Sequence, residues 1–162
     1  MSSLLIRSPQ VASRHLKGPS IFLAGSIEMG TAELWQPRVA QVLLAMGLNV
    51  FDPRRDDWDP TWAHDTTPGT PFESQVSWEL NHIALADIVL FRITAGTASI
   101  VSMLELGMVL ESRKPIVIWA DPDYMRFGNV VITARRYFKD VFTREDEAMA
   151  EVGRILPTLP IF

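Results

Sequence analysis

The sequence predicts an α/β domain built on a doubly wound, five-stranded parallel sheet with helices on both faces. Three observations lead to this prediction. Short apolar runs alternate with longer amphipathic runs, as strands and helices do in this class. The short runs are apolar throughout, which is typical of strands that are buried on both sides. No repeat, linker or low-complexity segment divides residues 1–162, and this length suits a single domain.

Five short runs are predicted to be the strands. Four of them are rich in Ile, Val, Leu and Phe; the first ends in a turn at Gly25-Ser26, and the second is stopped by Asp52-Pro53. The fifth run has only two apolar residues. In chain order, the predicted strands are residues 20–24, 48–51, 87–91, 114–120 and 141–142. Strands and helices that alternate in this way are those of flavodoxin-like and Rossmann-like folds.

Four helices are predicted, over residues 33–46, from 71 onward, 99–112 and 145–156. The first is closed by Gly47, and its Pro37 lies either in the first turn, where proline is tolerated, or at a kink, so the start of this helix is left open. The second begins at a capping box, in which Thr70 and Pro71 are followed by Glu73. The expected core face of this second helix consists of Val76, Leu80, Ile83 and Ala84.

Two segments lie outside the predicted elements. Residues 1–19 are expected to form an N-terminal arm that packs on the domain. Residues 53–69 form a loop without periodicity, and loops of this length in compact domains are usually functional. Ligands of doubly wound sheets bind beyond the C-terminal strand ends, where the strand order reverses. The sequence therefore predicts one site that is formed by residues 25–30, 53–69 and 93–99.

The composition excludes several classes of protein. The chain has no cysteine, which excludes disulfide scaffolds, zinc–thiolate sites, iron–sulfur clusters and thiol nucleophiles. Its 15 Lys and Arg against 19 Asp and Glu give a net charge of −4 without any basic run, so a nucleic acid polymer is not an expected partner. No apolar run approaches the roughly 18 residues of a membrane span, and no secretory signal is recognised. A cytoplasmic location is expected.

Glu105 is the only charged residue in the apolar run 100–110. Its neighbours at helical spacing include Val101, Ser102 and Met108, none of which could compensate a negative charge. A carboxylate in such a position either faces a pocket or is buried with a raised pKa. The alternative is a structural Glu that is bound by backbone amides or by a distant Arg. Gly107 in the same helix indicates close backbone packing.

Glu79 is a second acid in an apolar setting, since Val76 and Ile83 are its helical neighbours. A solvated surface Glu is the competing interpretation, and the adjacent Asn81 and His82 are expected to be exposed. Two carboxylates that meet in a cleft suit the cleavage of a glycosidic bond. One attacks the anomeric carbon, and the other assists the leaving group or orients the substrate.

Two further groups of residues are candidates for binding. Gly25, Ser26 and Ile27 follow a predicted strand, so that their backbone amides could hold a phosphate or a sugar hydroxyl. In the long loop, Asp57 adjoins Trp58, and this segment is either a solvated loop or one whose Trp58 and Trp62 stack on a ligand. The acids of this loop lack the spacing of a metal site, and the dinucleotide motif G-x-G-x-x-G is absent, so neither metal nor cofactor is expected.

These segments resemble the nucleoside 2-deoxyribosyltransferase superfamily, which includes the 2′-deoxynucleoside 5′-phosphate N-hydrolases. The resemblance extends from about residue 21 to residue 131. It is carried by the segment 79–87 (ELNHIALAD) with the apolar strand after it, by the run from Ser99 to the E-L-G motif at 105–107, and by Lys114-Pro115. The long loop around Asp57 is similar to that of a less characterised branch.

The resemblance implies roles for the matching residues. In the family the glutamate of E-L-G is the nucleophile, which matches Glu105. The acid one helix earlier, usually Asp, contacts the leaving base and matches Glu79. Ser99 matches a phosphate-contacting Ser of the N-hydrolases, where the transferases have Asp.

Two further segments match the family at positions that contact substrate. Gly25, Ser26 and Ile27 resemble the substrate loop of the N-hydrolases. Asn129 lies in a segment, 128–130, that in the family reaches into the site of a neighbouring subunit. The resemblance therefore implies a homodimer or a higher homo-oligomer, with a small-molecule nucleoside or nucleotide as substrate.

The implied function is cleavage of the N-glycosidic bond of 2′-deoxynucleosides or their monophosphates, with transfer of the sugar to another base. Two alternatives stay open. One is a 2′-deoxynucleoside 5′-monophosphate N-hydrolase, which Ser99 favours. The other is a nucleotide-binding or regulatory module without turnover, which Glu in place of Asp at position 79 and the unusual loop favour. A flavodoxin-like electron carrier is disfavoured, because the loop at Gly25 lacks a Ser/Thr-rich phosphate cradle.

Overall fold

A computed structural model describes residues 3–13, 15–26, 33–59, 61–62 and 64–160 of the chain. These residues form one sheet of six strands that is flanked by five helices. The strands are β1 (Leu5–Arg7), β2 (Ser20–Gly25), β3 (Asn49–Asp52), β4 (Ile88–Ile93), β5 (Ile116–Ala120) and β6 (Val141–Phe142). The helices are α1 (Gln36–Ala45), α2 (Pro71–Leu85), α3 (Ile100–Ser112), α4 (Phe127–Arg136) and α5 (Glu145–Ile155), and a short 3-10 helix follows at Leu156–Thr158.

The strands lie in the order β1-β3-β2-β4-β5-β6, and every neighbouring pair is parallel. From β2 the chain passes through α1 to β3 on one side, and α2 then carries it back across β2 to β4. The winding therefore reverses between β2 and β4, and the crevice at the C-terminal ends of these strands is where such sheets bind ligands. The predicted α/β class is confirmed, and all five predicted strands are present.

The predicted number of strands is wrong, because part of the N-terminal arm adds β1 to the sheet. Leu5 pairs with Val50, and Ile6 pairs with Phe51 of β3. Asn49 fixes the start of this strand by accepting a hydrogen bond from the backbone N–H of Leu4 at 3.0 Å. In a strand of three residues only Ile6 is buried, which is too little to produce a recognisable apolar pattern.

Helices cover both faces of the sheet. Ile88 and Leu90 of β4 point into the core beneath α1 and α5, whereas Val89 and Phe91 point into the core beneath α2, α3 and α4. Because successive side chains of a strand alternate between the two faces, both must be apolar when both faces are covered. This two-sided burial explains the continuous apolar runs of the sequence.

Helix α4 is an element that sequence reasoning missed. Its central residues Val130, Ile132 and Thr133 are β-branched, which lowers helix propensity and hides the helical pattern. Val130 and Ala134, one turn apart, are nevertheless its buried residues. A helix is also what a parallel connection from β5 to β6 requires.

The expected core face of α2 is mostly wrong. Ile83 is buried, but Val76, Leu80 and Ala84 are exposed. The buried side chains are instead Gln75, Trp78, His82 and Ile83. The first three carry polar groups that bond to the N-terminal arm or to the end of β3, so that the helix is rotated away from its purely apolar face. The predicted start is confirmed, since Thr70 Oγ1 accepts a hydrogen bond from the Glu73 N–H at 3.3 Å.

Candidate functional site

Glu105 lies in the middle of α3 and is only 8% exposed. Burial raises the pKa of its carboxyl group to about 8, and the charge of Glu79 adds to the increase. None of the described residues forms a hydrogen bond with this carboxylate or places a cation beside it. Within that part of the chain, the structural alternative of a Glu held by amides or by an Arg therefore has no support. A carboxyl group whose pKa is raised close to neutral pH in this way is a candidate for catalysis.

Glu79 lies on α2 and is half-buried. One of its carboxylate oxygens, Oε1, accepts a hydrogen bond from Gln75 Nε2 at 2.8 Å. Burial raises the pKa of Glu79, while the bond from Gln75 lowers it in part, because an amide N–H stabilises the ionised form. The side chain is thus a constrained acid rather than a solvated one.

Helices α2 and α3 bring the two acids close enough for the charge of Glu79 to raise the pKa of Glu105. Two carboxyl groups in one desolvated site titrate as a pair, because ionising the second one next to the first is unfavourable. The pair therefore holds at least one proton at neutral pH, because the pKa of Glu105 is about 8. Such a pair can supply a nucleophilic carboxylate together with a proton for a leaving group.

Three hydroxyl groups form a buried cluster at the C-terminal ends of β2 and β4. Ser26 Oγ lies 2.5 Å from Ser99 Oγ and 3.0 Å from Thr97 Oγ1, and the latter is 2.7 Å from Ser99 Oγ. The backbone N–H of Thr94 donates to Ser26 Oγ at 3.0 Å. Ser99 immediately precedes α3, so that the cluster lies at a helix N-terminus, which favours anions. The structure thus joins Ser26 and Ser99 where the winding reverses.

Gly25 is required by the close approach of β2 to β4. Its φ is +134°, and an added Cβ would lie 1.9 Å from the carbonyl oxygen of Arg92. The next residue continues this contact, since the Ser26 N–H donates to the same oxygen at 2.9 Å. Gly25 therefore positions Ser26 through the backbone. Ile27, the third residue predicted for this loop, lies outside the described residues.

Asp57 and Trp58 belong to a cluster within the long loop. Arg55 donates two hydrogen bonds to Asp57, at 2.9 and 2.8 Å, and this pairing lowers the pKa of Asp57. The ring of Trp58 packs edge-on against that of Trp62, with centroids 5.0 Å apart. Among the described residues, no hydrogen bond, ion pair or ring contact joins this cluster to Glu105. The role of Trp58 as a cover for a bound base stays a prediction.

Asn129 lines a cleft of about 240 Å³ between α3 and α4. Met103, Leu106 and Gly107 form the α3 side of this cleft. Because successive helical residues are rotated by about 100°, Glu105 lies on roughly the opposite side of α3. Asn129 is therefore not brought to Glu105 within one chain. The close packing expected at Gly107 is wrong, since no other part of the described chain, apart from the adjacent helix backbone, comes within 4 Å of the position that a Cβ would take.

His82 is buried, which corrects the expectation that it is exposed. Its ring stacks on Trp78 with a centroid distance of 3.8 Å, and its Nε2 accepts a hydrogen bond from the Ala12 N–H at 3.2 Å. Nδ1 lies 2.7 Å from the Trp78 carbonyl oxygen, so the neutral ring is held in one tautomer. Burial lowers the pKa of His82 accordingly. This side chain fastens the arm to α2.

Sequence reasoning missed two polar residues at the site, Gln75 and Thr97. For Gln75 the available signal is its spacing of four residues from Glu79 on a helix, which places the two side chains side by side. For Thr97 it is the hydroxyl-rich stretch after a strand, residues 94–99. Both signals are weak, because polar residues at helical spacing or in a loop are common on protein surfaces.

The described residues contain no group of three or more His, Asp or Glu side chains that could hold a metal ion. In the same part of the chain, no helix is both long and apolar enough to cross a membrane.

Residues 18–124 match the sequence profile of the family described as nucleoside 2-deoxyribosyltransferase like. The match spans well over half of the chain and includes both acids and the hydroxyl cluster. The chain belongs to this family. A search of curated protein sequences finds no match.

Solved structures that are similar to the chain include the following two. The 2-deoxyribosyltransferase of the psychrotolerant bacterium Bacillus psychrosaccharolyticus has a TM-score of 0.55 and 22% identity, over 79% of this chain and 88% of that one. A conserved protein from Enterococcus faecalis V583 has a TM-score of 0.48 and 12% identity, over 85% and 87% of the two chains. The first likeness shows a shared fold, which by itself does not define a reaction.

Proposed function

We propose that the protein cleaves the N-glycosidic bond of 2′-deoxynucleosides or their monophosphates and transfers the sugar to another base. Glu105 is the nucleophile in this proposal, and Glu79 binds and protonates the leaving base. The observation that carries the proposal is the meeting of two desolvated acids, one of which has a pKa of about 8. Membership of the nucleoside 2-deoxyribosyltransferase-like family supports the choice of substrate.

The reaction proceeds in two displacements. A carboxylate oxygen of Glu105 forms a bond with C1′ while the bond from C1′ to the base nitrogen breaks, and its electron pair stays with the base. The base takes up a proton from Glu79. A nitrogen of a second base then attacks C1′, which releases Glu105, and the proton of that nitrogen returns to Glu79. These steps require neither a metal nor a cofactor.

One shared proton serves both acids in this scheme. In the empty site the high pKa of Glu105 means that the proton resides on it at neutral pH. Bound substrate offers a base nitrogen beside Glu79, which makes Glu79 the better location for the proton. Transfer of the proton from Glu105 to Glu79 ionises the nucleophile and, at the same time, supplies the acid that protonates the leaving base.

A second candidate function, a 2′-deoxynucleoside 5′-monophosphate N-hydrolase, is favoured by the hydroxyl cluster. Ser26, Thr97 and Ser99 lie together at the N-terminus of α3 and could exchange their mutual hydrogen bonds for phosphate oxygens. The nearby guanidinium of Arg92 is already paired with Asp121 at 2.7 Å, so the hydroxyls and helix amides would be the phosphate ligands. Water replaces the second base in this reaction.

One assay separates the two functions. The protein is incubated with 2′-deoxyinosine or with dGMP, each with and without adenine, and the products are separated by chromatography. We expect hypoxanthine release together with new 2′-deoxyadenosine when adenine is present. Base release from dGMP alone, with no new nucleoside, would establish the hydrolase instead. Absence of base release from every substrate, together with binding detected by calorimetry, would support a module without turnover.

We propose that a second copy of the chain covers the apolar surface of α2 and α3. These neighbouring helices expose apolar side chains that on average are more than half accessible: Val76, Leu80, Ile100, Val101, Leu104 and Met108. Exposed apolar side chains that are concentrated on two helices in this way are typical of an interface. Asn129, which lies away from Glu105 in its own chain, would then be available to a neighbouring site.

Replacing Leu104 with Glu is expected to convert the oligomer to a monomer, because the new charge would be buried at the interface without a partner. Light scattering coupled to gel filtration measures the mass directly. Val42→Glu is the matched control, since Val42 is an exposed apolar residue of α1 on the other face of the sheet. A monomeric wild type, or an oligomer that survives Leu104→Glu, would contradict the assignment of this surface.

A further inference from the structure

Gln75 is a buried amide that makes three side-chain hydrogen bonds. Its Nε2 donates to Glu79 Oε1 at 2.8 Å and to the Pro53 carbonyl oxygen at 2.9 Å. Its Oε1 accepts a hydrogen bond from Ser8 Oγ at 2.6 Å. The side chain thus links three segments that are far apart in sequence, namely the N-terminal arm, the residue after β3, and α2.

These bonds define a single orientation of the amide. If the amide were flipped, its oxygen would face the Pro53 carbonyl and the Glu79 carboxylate. The carbonyl cannot donate a hydrogen bond, and neither can Glu79 when it is ionised. Both protons of Nε2 are therefore committed to acceptors. A buried network in which every group is satisfied in this way is rigid, and losing one member leaves its partners unpaired.

The bond to Oε1 also determines which oxygen of Glu79 carries a proton. In a neutral carboxyl group the carbonyl oxygen is the better acceptor, so the amide of Gln75 keeps Oε1 in that form. A proton on Glu79 therefore resides on Oε2. The described residues form no hydrogen bond with Oε2, which leaves it available to a ligand.

We propose that Gln75 is a positioning residue, which holds Glu79 by Oε1 and reserves Oε2 for delivering a proton to the leaving base. The inference rests on the proposed function. Ser8 and Pro53 hold Gln75 in turn, so that the N-terminal arm supports the site although it lies outside the two helices that carry the acids.

The test uses pairs of substrates that differ in how much the leaving base needs a proton. Pyrimidine probes are 2′-deoxyuridine and 5-fluoro-2′-deoxyuridine, whose base leaves more readily as an anion. Purine probes are 2′-deoxyguanosine and 7-methyl-2′-deoxyguanosine, whose base is already cationic. Each is supplied as the nucleoside and as the 5′-monophosphate, and kcat/KM is measured for the full chain and for Gln75→Met, which has a similar shape but no donor.

Gln75→Met is expected to lower kcat/KM about 10- to 100-fold for the parent substrate and only a few-fold for its activated partner, because only the parent depends on general acid catalysis. Ser8→Ala, which leaves the amide in place, is expected to change the same ratio in the same direction to a smaller extent. If Gln75→Met does not fold, the substrate ratio of Ser8→Ala tests the positioning role instead.

Trp78→Phe is the matched control. Trp78 Nε1 donates to the Gln10 carbonyl oxygen at 2.6 Å, so this variant removes one separate contact of the arm and keeps the bond between Ser8 and Gln75. We expect it to affect both members of a substrate pair by the same factor. A Gln75→Met variant that does likewise would overturn the positioning role. Failure of the wild type to release any base would instead overturn the proposed function, and the inference with it.

Discussion

Glu105→Gln is expected to abolish base release, lowering kcat by at least about 10⁴-fold, because an amide oxygen cannot form the bond to C1′ that the first displacement needs. The substitution keeps the shape of the side chain, so binding of the substrate should survive. Quantification of free base by chromatography measures the loss, and calorimetry measures the retained affinity.

Glu111→Gln is the control for this variant. Glu111 lies on the same helix, and its carboxylate accepts a hydrogen bond from Tyr137 Oη at 2.7 Å at the protein surface. We expect it to keep wild-type activity. Turnover that persists at the wild-type rate in Glu105→Gln would remove Glu105 from the mechanism, and with it the two-step displacement.

Glu105→Gln is also expected to stabilise the fold at neutral and alkaline pH. The pKa of Glu105 is raised from an ordinary value of 4.5 to about 8, so the folded chain binds a proton that the unfolded chain releases. The sign follows from linkage: between these two values, the free energy of unfolding of the wild type falls as the pH rises, by up to about 1.4 kcal/mol for each unit. Glu105→Gln removes this penalty.

Urea unfolding of both proteins between pH 5 and pH 9 measures the difference. We expect Glu105→Gln to gain stability relative to the wild type as the pH rises, by up to a few kcal/mol, and the gain to level off above about pH 8. Part of the pH dependence should persist in the variant, because burial also raises the pKa of Glu79. A difference that stays constant with pH would show that Glu105 is not held in its protonated form.

Stability and activity are thus expected to oppose each other at this position. A buried, uncompensated carboxylate weakens the fold, and natural chains retain such groups mainly where function requires them. The hydroxyl cluster differs in this respect, since Ser26, Thr97 and Ser99 satisfy one another in the absence of a ligand.

The fold was largely predictable from the sequence. The apolar strands between 20 and 120 are long enough to show their pattern, and the capping box at Thr70 marked the start of α2. Strand β1 and helix α4 were not predictable by pattern, because one is too short and the other is rich in β-branched residues. The parallel pairing of β5 with β6 explains α4 only once the sheet is known.

The candidate acids were also visible in the sequence, because Glu105 interrupts an apolar helix where no local partner exists. The orientation of α2 around Glu79 was not visible in the sequence. Gln75, His82 and Trp78 turn α2 toward the N-terminal arm, and this rotation depends on hydrogen bonds to residues about 70 positions away. Helical periodicity contains no information about such contacts, so it assigned Val76 and Leu80 to the core instead of the surface.

The central claim is that a bond forms between Glu105 and the sugar. Mass spectrometry of peptides from acid-quenched protein tests it most directly, after mixing with a 2′-fluoro-substituted substrate whose electron-withdrawing fluorine slows breakdown of the intermediate. We predict that the peptide containing Glu105 gains the mass of one fluorinated sugar, and that the Glu105→Gln protein gains none. Base release without any sugar on this peptide, or with the sugar on another residue, would contradict the account.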